Sequence, residues 1–577
     1  MLIFHGYLLS GTGSNVYNAR LAEALVAMGH HVHLLCQERH PEEHRFVEAW
    51  GDWDEGELRM REPNGSAAGA RCTLYRPDIG GLLPVYVADS YEGVTALPFS
   101  QCSEEQVRHY VQANVAAVRE LCERVEPHAA LANHLVMGPV ILARGLQGRV
   151  PYAVKVHGSA LEYTVKPEPD RFLPFAREGL QAAAGVLVGS RHTAESLWRA
   201  LDQPWLQPRT RLGPPGVDVA RFAPRDAAHA RTHVRDLAAR LRADAQSGSP
   251  ERAGVVPRGT VSAGIVPGRT VSAGVVPRGT VPAGAAPVGV VPGEVADGTA
   301  SGAAGAPAAS AFARQEGEAA AALERLAPRD RIVTFVGKLI VSKGVDLLIA
   351  AFPLVLEQLP DARLLLVGFG AYRGGCEALI AALAAGELPA AMDIALAGRS
   401  LEDTSAPPRP LGHLVAFLRS LQAEERERYL RSAASMAERV LLTGRLEHEE
   451  LAEVLPACEA LVVPSTFPEA FGMVAAEAAA CGVLPVSAAH SGLAEVSRAL
   501  ATAVPAQAAP WLSFSVDDDS VRAIAACLLG WLGAKGELRE RTREGLVASA
   551  RQRWSWEGVA RGVLAASAGE LDSLALP

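Results

Sequence analysis

The sequence predicts an α/β protein in which two doubly wound domains face each other across a cleft. Three observations support this fold class: short apolar runs alternate with amphipathic helical patterns in both halves, a glycine-rich loop follows the first run, and a low-complexity segment separates the halves. The runs are LIFHGYLL, HHVHLLC, AALANHL, YAVKVHG and GVLVGS, then IVTFVGKL, ARLLLVGFG, RVLLTGRL, ALVVPST and VLPVSA. Near-continuous apolar strands between helices are typical of parallel sheets covered on both faces. Ligands bind at the carboxyl ends of such strands, so the cleft is the expected site.

The separating segment, 226–328, is predicted to be a linker that contains a disordered decapeptide repeat at about 246–311. Copies of the repeat begin at Ala253, Ala263, Ala273 and Ala283 and read AGVVPRGTVS, AGIVPGRTVS, AGVVPRGTVP and AGAAPVGVVP. Of the 66 residues in 246–311, 21 are Gly or Pro and none is aromatic, so burial cannot offset the entropy of ordering them. A tether is therefore the favoured interpretation, with a partner-binding segment as the alternative.

The domain boundaries follow from this division. The first domain is expected over 1–225 and the second over 329–550. The second contains an insertion at about 401–438, which has helix-forming composition after a proline cluster and is interpreted as peripheral. The last segment, 551–577, is predicted to be a helix that can cross back to the first domain.

Composition and charge exclude several classes of protein. The chain has 577 residues, of which 49% are hydrophobic, and a formal net charge of −9, which gives no electrostatic footprint for nucleic acid. No stretch approaches the roughly 18 apolar residues that a spanning helix needs. The segment MLIFHGYLLSGTGSN lacks a basic start and is interpreted as a first strand rather than a signal peptide, which favours a cytoplasmic location.

The eight cysteines show no C-x-x-C pair. This spacing argues against a disulfide scaffold and against a structural zinc site. Buried free thiols in a reducing compartment are therefore expected.

The loop SGTGSN, residues 10–15, lies between the first strand and the first helix. Backbone N–H groups at such a helix start can bind an anion. A nicotinamide fingerprint would have a third glycine where Val16 stands and an acidic residue about twenty positions on, whereas the nearest one at the second strand end is Glu38. A tight turn without a ligand remains the alternative.

The strongest chemical signal is the segment FPEAFGMVAAEAAACG, which begins at Phe467. Glu469 lies on a loop and Glu477 lies eight positions later on the following helix. Eight positions are about two helical turns, so both carboxylates can face the same cleft. The alternatives are a helix-capping carboxylate and a solvated surface charge.

Two lysines in VGKLIVSKGVDLLIAAF accompany that pair. Lys338 and Lys343 follow a predicted strand and precede a helix that begins near Gly344. Two cations five positions apart at a helix start can clamp a diphosphate. As isolated residues they would more often be solvated surface charges.

Four segments follow one another in the second half: GKLIVSKGVDLLI, LLLVGFG, TGRLEHEEL and VPSTFPEAFGMVAAEAAACGVLPV. Their order and spacing resemble the retaining nucleotide-sugar glycosyltransferases of family 4, which have the GT-B fold of two Rossmann-like domains. In the first half, GTGSN with RLAEALVAMGHHV, VKVHG, GVLVGSRHTAESL and PPGVDVARFAP resemble further family segments. The resemblance leaves out the repeat and the insertion.

The resemblance implies roles for individual side chains. Lys338 and Lys343 would hold the donor diphosphate, although Lys338 stands where the family usually has arginine and so lacks its bidentate fork. Glu469 would contact sugar hydroxyls, and Glu477 the ribose. His157 would meet the donor sugar or the reacting centre, with a satisfied core imidazole as the alternative.

The resemblance also implies which residues line the rest of the nucleotide-sugar site. The glycine loop would approach the phosphates, backbone amides after Glu469 would bind sugar and phosphate, and a further loop would meet the nucleobase. In that order, these residues are Gly11 and Gly13, then Phe471, Gly472 and Met473, then Arg445 and Leu446.

The implied reaction retains anomeric configuration, because departure and attack occur on the same face of the sugar. The leaving phosphate oxygen takes the acceptor's proton, and the lysines stabilise the charge that develops on the diphosphate.

No cofactor or metal site is expected, and a UDP-, GDP- or ADP-sugar is the co-substrate. The acceptor is expected to be a sugar, a lipid-linked compound or a small molecule. Its binding site is expected in the first domain and to include the loop around Tyr91 and Glu92. No nucleic-acid partner and no transmembrane segment are expected, and peripheral membrane contact is compatible with the interpretation.

Two alternatives remain open. One is another enzyme with paired nucleotide-binding domains, either a sugar-nucleotide epimerase or a glucan phosphorylase. The other is a non-catalytic nucleotide-sugar-binding or scaffold protein of the same fold.

Overall fold

Strands and helices alternate along both halves of the chain. The computed structural model describes residues 1–54, 56–61, 71–86, 94–247, 315–403 and 407–577. The repeat copies and the loop around Tyr91 and Glu92 lie outside the described residues.

The first half contains strands β1 to β11 and helices α1 to α7. The strands are β1 Leu2–Phe4, β2 Val32–Leu35, β3 Ala49–Asp54, β4 Glu57–Arg61, β5 Cys72–Arg76, β6 Leu82–Val85, β7 Thr95–Pro98, β8 Ala130–Asn133, β9 Tyr152–Val156, β10 Gly185–Val188 and β11 Thr210–Leu212. The helices are α1 Gly13–Ala27, α2 Glu104–Val125, α3 Gly138–Leu146, α4 Pro169–Gln181, α5 Arg191–Leu201, α6 Leu206–Arg209 and α7 Ala227–Ser247.

The second half contains strands β12 to β17 and helices α8 to α20. The strands are β12 Arg331–Val336, β13 Ala362–Val367, β14 Val440–Gly444, β15 Ala460–Val463, β16 Leu484–Ala488 and β17 Ser513–Phe514. The helices are α8 Glu316–Glu324, α9 Val345–Gln358, α10 Arg373–Ala384, α11 Leu388–Ala397, α12 Gly412–Ser420, α13 Ala423–Ala433, α14 Met436–Arg439, α15 His448–Val454, α16 Met473–Ala480, α17 Ser491–Ala501, α18 Ser520–Leu532, α19 Gly536–Arg553 and α20 Trp556–Ala568.

Two large sheets form the centres of the two halves. The first has nine strands in the order β11-β10-β9-β8-β1-β2-β5-β3-β4, and the second has six in the order β14-β13-β12-β15-β16-β17. All neighbouring pairs in these sheets are parallel except β3 and β4. The central strands β8, β9, β15 and β16 are buried along their whole length, as sheets covered on both faces require. The predicted fold class is confirmed.

The ends of the predicted linker are helical, which corrects that part of the 226–328 assignment. Helices α7 and α8 pack against each other, and α8 also packs against β14. Val234, Leu237 and Leu241 on α7 are buried in the core of the second half. Their spacing of three and four residues gives α7 an apolar stripe, which the neighbouring low-complexity composition obscures in the sequence.

The insertion at 401–438 is not peripheral. Helices α12 and α13 pack against α9, and Leu414, Phe417 and Tyr429 are fully buried. The Tyr429 hydroxyl donates to the Ala350 carbonyl oxygen over 2.9 Å. The insertion therefore extends the core of the second half.

The last long helix, α20, belongs to the core of the first half. It packs against α1, β9 and β10, and the Trp556 ring lies 5.6 Å from the Tyr17 ring. The Ser567 hydroxyl donates to the Ala130 carbonyl oxygen over 3.1 Å. The chain thus ends by tying its two halves together.

The cysteines behave as predicted, since all eight are buried and unpaired. No helix among the described residues is long and apolar enough to span a membrane.

Candidate active site

The glycine loop places its helix opposite the second half of the chain. Gly11 has φ of 91°, a left-handed conformation that favours glycine, and Gly13 is the first residue of α1. A Cβ atom added to Gly13 would lie 3.7 Å from Sδ of Met473, the first residue of α16. The starts of α1 and α16 therefore meet across the cleft, where backbone N–H groups from both domains are available.

Lys343 lies in the connection from β12 to α9 and forms an ion pair with Glu469. The approach depends on Gly344, whose φ is 65° and whose added Cβ would lie only 2.0 Å from the Pro464 carbonyl oxygen. No larger residue fits there, and this close packing brings the lysine loop to the glutamate loop.

Glu469 is held as a carboxylate. Burial by itself raises its pKa, but Lys343 and the Ser465 hydroxyl, which donates over 2.7 Å, bring the net pKa below the usual carboxyl range. Its backbone N–H donates to the Ser491 hydroxyl, and its carbonyl oxygen accepts from the Gly492 N–H, both over 2.9 Å. Side chain and backbone are therefore both fixed.

Gly472 ends this loop and caps α16. Its φ is 116°, and an added Cβ would lie 2.5 Å from the Leu493 side chain. The Phe471 ring before it is buried and meets the Trp554 ring edge-on at 5.6 Å. The predicted phosphate-binding amides of Phe471, Gly472 and Met473 thus lie on a rigid helix start.

Glu477 lies on α16 and its side chain is 3% exposed. It accepts a hydrogen bond from Nε2 of His448 over 2.8 Å, and the His448 ring packs on the Phe222 ring at 4.8 Å. Nδ1 of His448 is buried without a hydrogen-bond partner. His448 lies within the segment TGRLEHEEL, and no role was predicted for it from the sequence.

The remaining residues predicted to bind the diphosphate or the nucleobase lie in the loops that follow β12 and β14. The Lys338 ammonium lies 5.8 Å from the centre of the Phe369 ring, within the range of a cation–π contact. Arg445 pairs with Glu447 over 2.9 Å, and Leu446 packs against the core of the second half. Both lie in the loop between β14 and α15, just before His448.

His157 follows β9, and its ring contacts Tyr17 and His134 at centroid distances of 5.1 and 4.9 Å. Burial lowers the pKa of His157 well below its usual value, and His134, Lys155 and His5 lower it further. The imidazole is therefore neutral at pH 7.

The loops that follow β9 and β10 each meet the glutamate loop at a glycine. Added Cβ atoms on Gly158 and Gly189 would lie 3.2 Å from Ala470 Cβ and 2.8 Å from its carbonyl oxygen. Beside this contact, the backbone N–H groups of Arg191 and His192 donate to the Glu495 carboxylate, each over 2.9 Å. A carboxylate from the second half thus caps helix α5 of the first half and links the two halves.

The predicted site residues therefore take part in one ion pair and two close approaches between loops. Lys343 touches Glu469, the Gly13 position faces Met473, and the residue after His157 faces Ala470. Lys338 lies against Phe369, and Arg445 pairs with Glu447. In the part of the chain that the structure describes, no group of three or more His, Cys, Asp or Glu side chains is arranged to hold a metal ion.

Two models of known protein families match the chain, one in each half. Residues 12–204 match the model of the family described as "Glycosyl transferase 4-like domain", and residues 420–541 match "Glycosyl transferases group 1". The two matches lie in the two halves of the chain, and neither spans half of its length. The first match includes Gly13 and His157, and the second includes Glu469 and Glu477.

One curated relative and two solved structures illustrate the similarity. The D-inositol 3-phosphate glycosyltransferase of Segniliparus rotundus is 30% identical over 251 residues, which are 43% of this chain and 42% of that protein. The match thus spans less than half of the relative's length.

Sucrose-phosphate synthase from Thermosynechococcus elongatus is 18% identical, with 99% of each chain covered and a TM-score of 0.51. The trehalose-6-phosphate synthase OtsA is 10% identical, with 98% of each chain covered and a TM-score of 0.50. These likenesses show the fold, which is GT-B, with two Rossmann-like domains.

Proposed function

We propose that this chain is a glycosyltransferase that moves a sugar from a nucleotide-diphosphate sugar to an acceptor hydroxyl with retention of anomeric configuration. The observation that carries the proposal is the Lys343–Glu469 ion pair beside the start of α16, opposite the Gly13 loop. A cation, a carboxylate and two helix starts are the groups that a sugar diphosphate needs. The two family matches support the same reaction class.

In this proposal the donor diphosphate displaces Glu469 from its ion pair with Lys343. A diphosphate carries more negative charge than a single carboxylate, so it competes successfully for Lys343. Glu469 is then released to accept hydrogen bonds from sugar hydroxyls, while Lys338 lies near the same phosphates. Glu477, held by His448, accepts from the ribose.

The chemical step needs no nucleophile from the protein. The departing diphosphate oxygen takes the acceptor's proton as the new glycosidic bond forms on the same face of the sugar. Lys343 and the amides at the start of α16 stabilise the negative charge that grows on the diphosphate. His157 does not serve as the base, because its lowered pKa leaves it neutral and a weak proton acceptor.

The donor is tested by a thermal-shift screen with UDP-, GDP- and ADP-sugars. We expect one nucleotide to raise the melting temperature, since a ligand at 100 times its Kd adds about 2.7 kcal/mol of stability. The product anomer, measured by proton NMR, is expected to match the donor. If no nucleotide sugar binds, the proposal is wrong, and tight binding without transfer to any acceptor would favour the non-catalytic alternative.

His448→Ala is expected to weaken nucleotide binding about tenfold, because Glu477 loses the hydrogen bond that orients it toward the ribose. His448→Gln, which can still donate, is expected to recover most of that loss. Calorimetric titration with the nucleoside diphosphate found in the screen measures both. The control is His413→Ala, which removes an exposed histidine paired with Asp518. Equal affinities in the wild type and His448→Ala would contradict the role given to His448.

A further inference from the structure

Asn133 joins the ends of three adjacent strands. It is the last residue of β8, which lies between β1 and β9, and it is 1% exposed. Its side-chain Nδ2 donates to the carbonyl oxygen of Phe4, the last residue of β1, over 3.2 Å. Its Oδ1 lies 2.8 Å from Nε2 of His157, which follows β9.

These two contacts define the protonation of His157. A carbonyl oxygen can only accept, so the amide atom that faces Phe4 must be the NH₂ group. The other amide atom is then the oxygen, which also can only accept. Nε2 of His157 must therefore carry the proton, and in a neutral imidazole this leaves Nδ1 as a hydrogen-bond acceptor.

The surroundings of His157 keep the ring neutral and in place. Lys155, on the same strand, is 2% exposed, donates to the Gly213 carbonyl oxygen and lies over the Tyr17 ring at 5.4 Å. Among the described residues, Nε2 of His157 has Asn133 as its hydrogen-bond partner. The other ring nitrogen, Nδ1, is not sealed in the interior as an unpaired polar atom. A ligand hydroxyl can therefore complete the hydrogen bonding of Nδ1.

We propose that Asn133 is a positioning residue that holds His157 in the Nε2–H tautomer, so that Nδ1 accepts a hydrogen bond from a hydroxyl of the transferred sugar. The part that concerns the sugar rests on the proposed function. An unprotonated phosphate oxygen cannot be the partner of Nδ1, because it has no proton to donate. Asn133 thus selects for a hydroxyl at this position of the donor.

The tautomer is measured without any ligand. In full-length protein with ¹⁵N-labelled histidine, the signals of His157 are identified by their loss in His157→Gln. At pH 7 we expect the wild type to show a proton on Nε2 alone and Asn133→Ala to show a second population with the proton on Nδ1. Asn114→Ala, which removes a buried asparagine of α2, is the control and is expected to leave these signals unchanged.

Three outcomes would overturn the assignment: a proton on Nδ1 in the wild type, an imidazolium in the wild type, or an unchanged tautomer in Asn133→Ala. If Asn133→Ala does not fold, Asn133→Asp takes its place. Its carboxylate still accepts from Nε2–H, so the proton is expected to stay on Nε2. Loss of that proton in Asn133→Asp would contradict the proposal equally.

The sugar partner is tested with donors in which one hydroxyl at a time is replaced by fluorine, which cannot donate. They are built on whichever of UDP-, GDP- or ADP-glucose binds. We expect one replacement to lower kcat/KM about tenfold in the wild type and to have little further effect in Asn133→Ala. Equal losses in both proteins would overturn the sugar partner. If none of the three nucleotide sugars binds, the proposed function and the sugar partner both fail, and the NMR result alone judges the tautomer.

Discussion

Replacing Lys343 by alanine is expected to lower kcat/KM at least about a hundredfold. The side chain supplies a positive charge where the leaving diphosphate becomes more negative, and loss of one such group typically costs this much. The substitution also leaves Glu469 without its ion pair, so the pKa of Glu469 is expected to rise. Steady-state kinetics with the donor found in the thermal screen measure the effect.

Two further variants make this measurement specific. Lys343→Arg keeps the charge and is expected to retain more activity than Lys343→Ala. Lys166→Ala removes a lysine that pairs with Glu162 over 2.7 Å in the first domain, and it is expected to keep normal turnover. Near wild-type kcat/KM in Lys343→Ala would mean that Lys343 is a surface charge and that the clamp assignment is wrong.

The two glutamates of α16 and its preceding loop are expected to affect different kinetic constants. Glu477→Gln weakens a hydrogen bond to ribose that forms equally in the ground and transition states, so it mainly raises the donor KM. Glu469→Gln acts on the transferring sugar, where positive charge develops as the glycosidic bond breaks, so it mainly lowers kcat. Steady-state kinetics of both variants with one donor separate the two effects.

Glu453→Gln is the matched control for this pair. Glu453 lies on α15 and pairs with Arg240 over 2.6 Å on the protein surface, so its loss is expected to change neither constant. If Glu469→Gln and Glu477→Gln raised KM alone to the same extent, or if neither had an effect, the separate assignments to sugar and ribose would be wrong.

The fold was largely predictable because buried parallel strands have a strong composition signal. Each of the ten apolar runs named from the sequence contains a strand, from β1 and β2 to β15 and β16. The antiparallel pair β3 and β4 was missed, because AWGDWD and ELRMR mix apolar and charged residues at the edge of the sheet. Helices α7 and α8 were missed because alanine-rich sequence beside a repeat resembles a linker.

The candidate site was only partly predictable, since residue types and spacing say nothing about contacts between distant segments. The proximity of Lys343 and Glu469 was inferred from motif order, and the structure shows the ion pair itself. His448 lies in the segment TGRLEHEEL and Asn133 in the apolar run AALANHL, but neither pattern predicted a role for the side chain. Their importance comes from single hydrogen bonds to Glu477 and His157, which exist only after the strands and loops pack.

A sugar nucleotide is expected to bind between the glycine loop and the Lys343–Glu469 pair. Calorimetric titration of the wild type, Lys343→Ala and Lys166→Ala with UDP, GDP and ADP tests this binding directly. We expect one nucleoside diphosphate to bind the wild type and Lys166→Ala with the same affinity and to bind Lys343→Ala at least about tenfold more weakly. Binding of none of the three, or equal affinity in all three proteins, would contradict it.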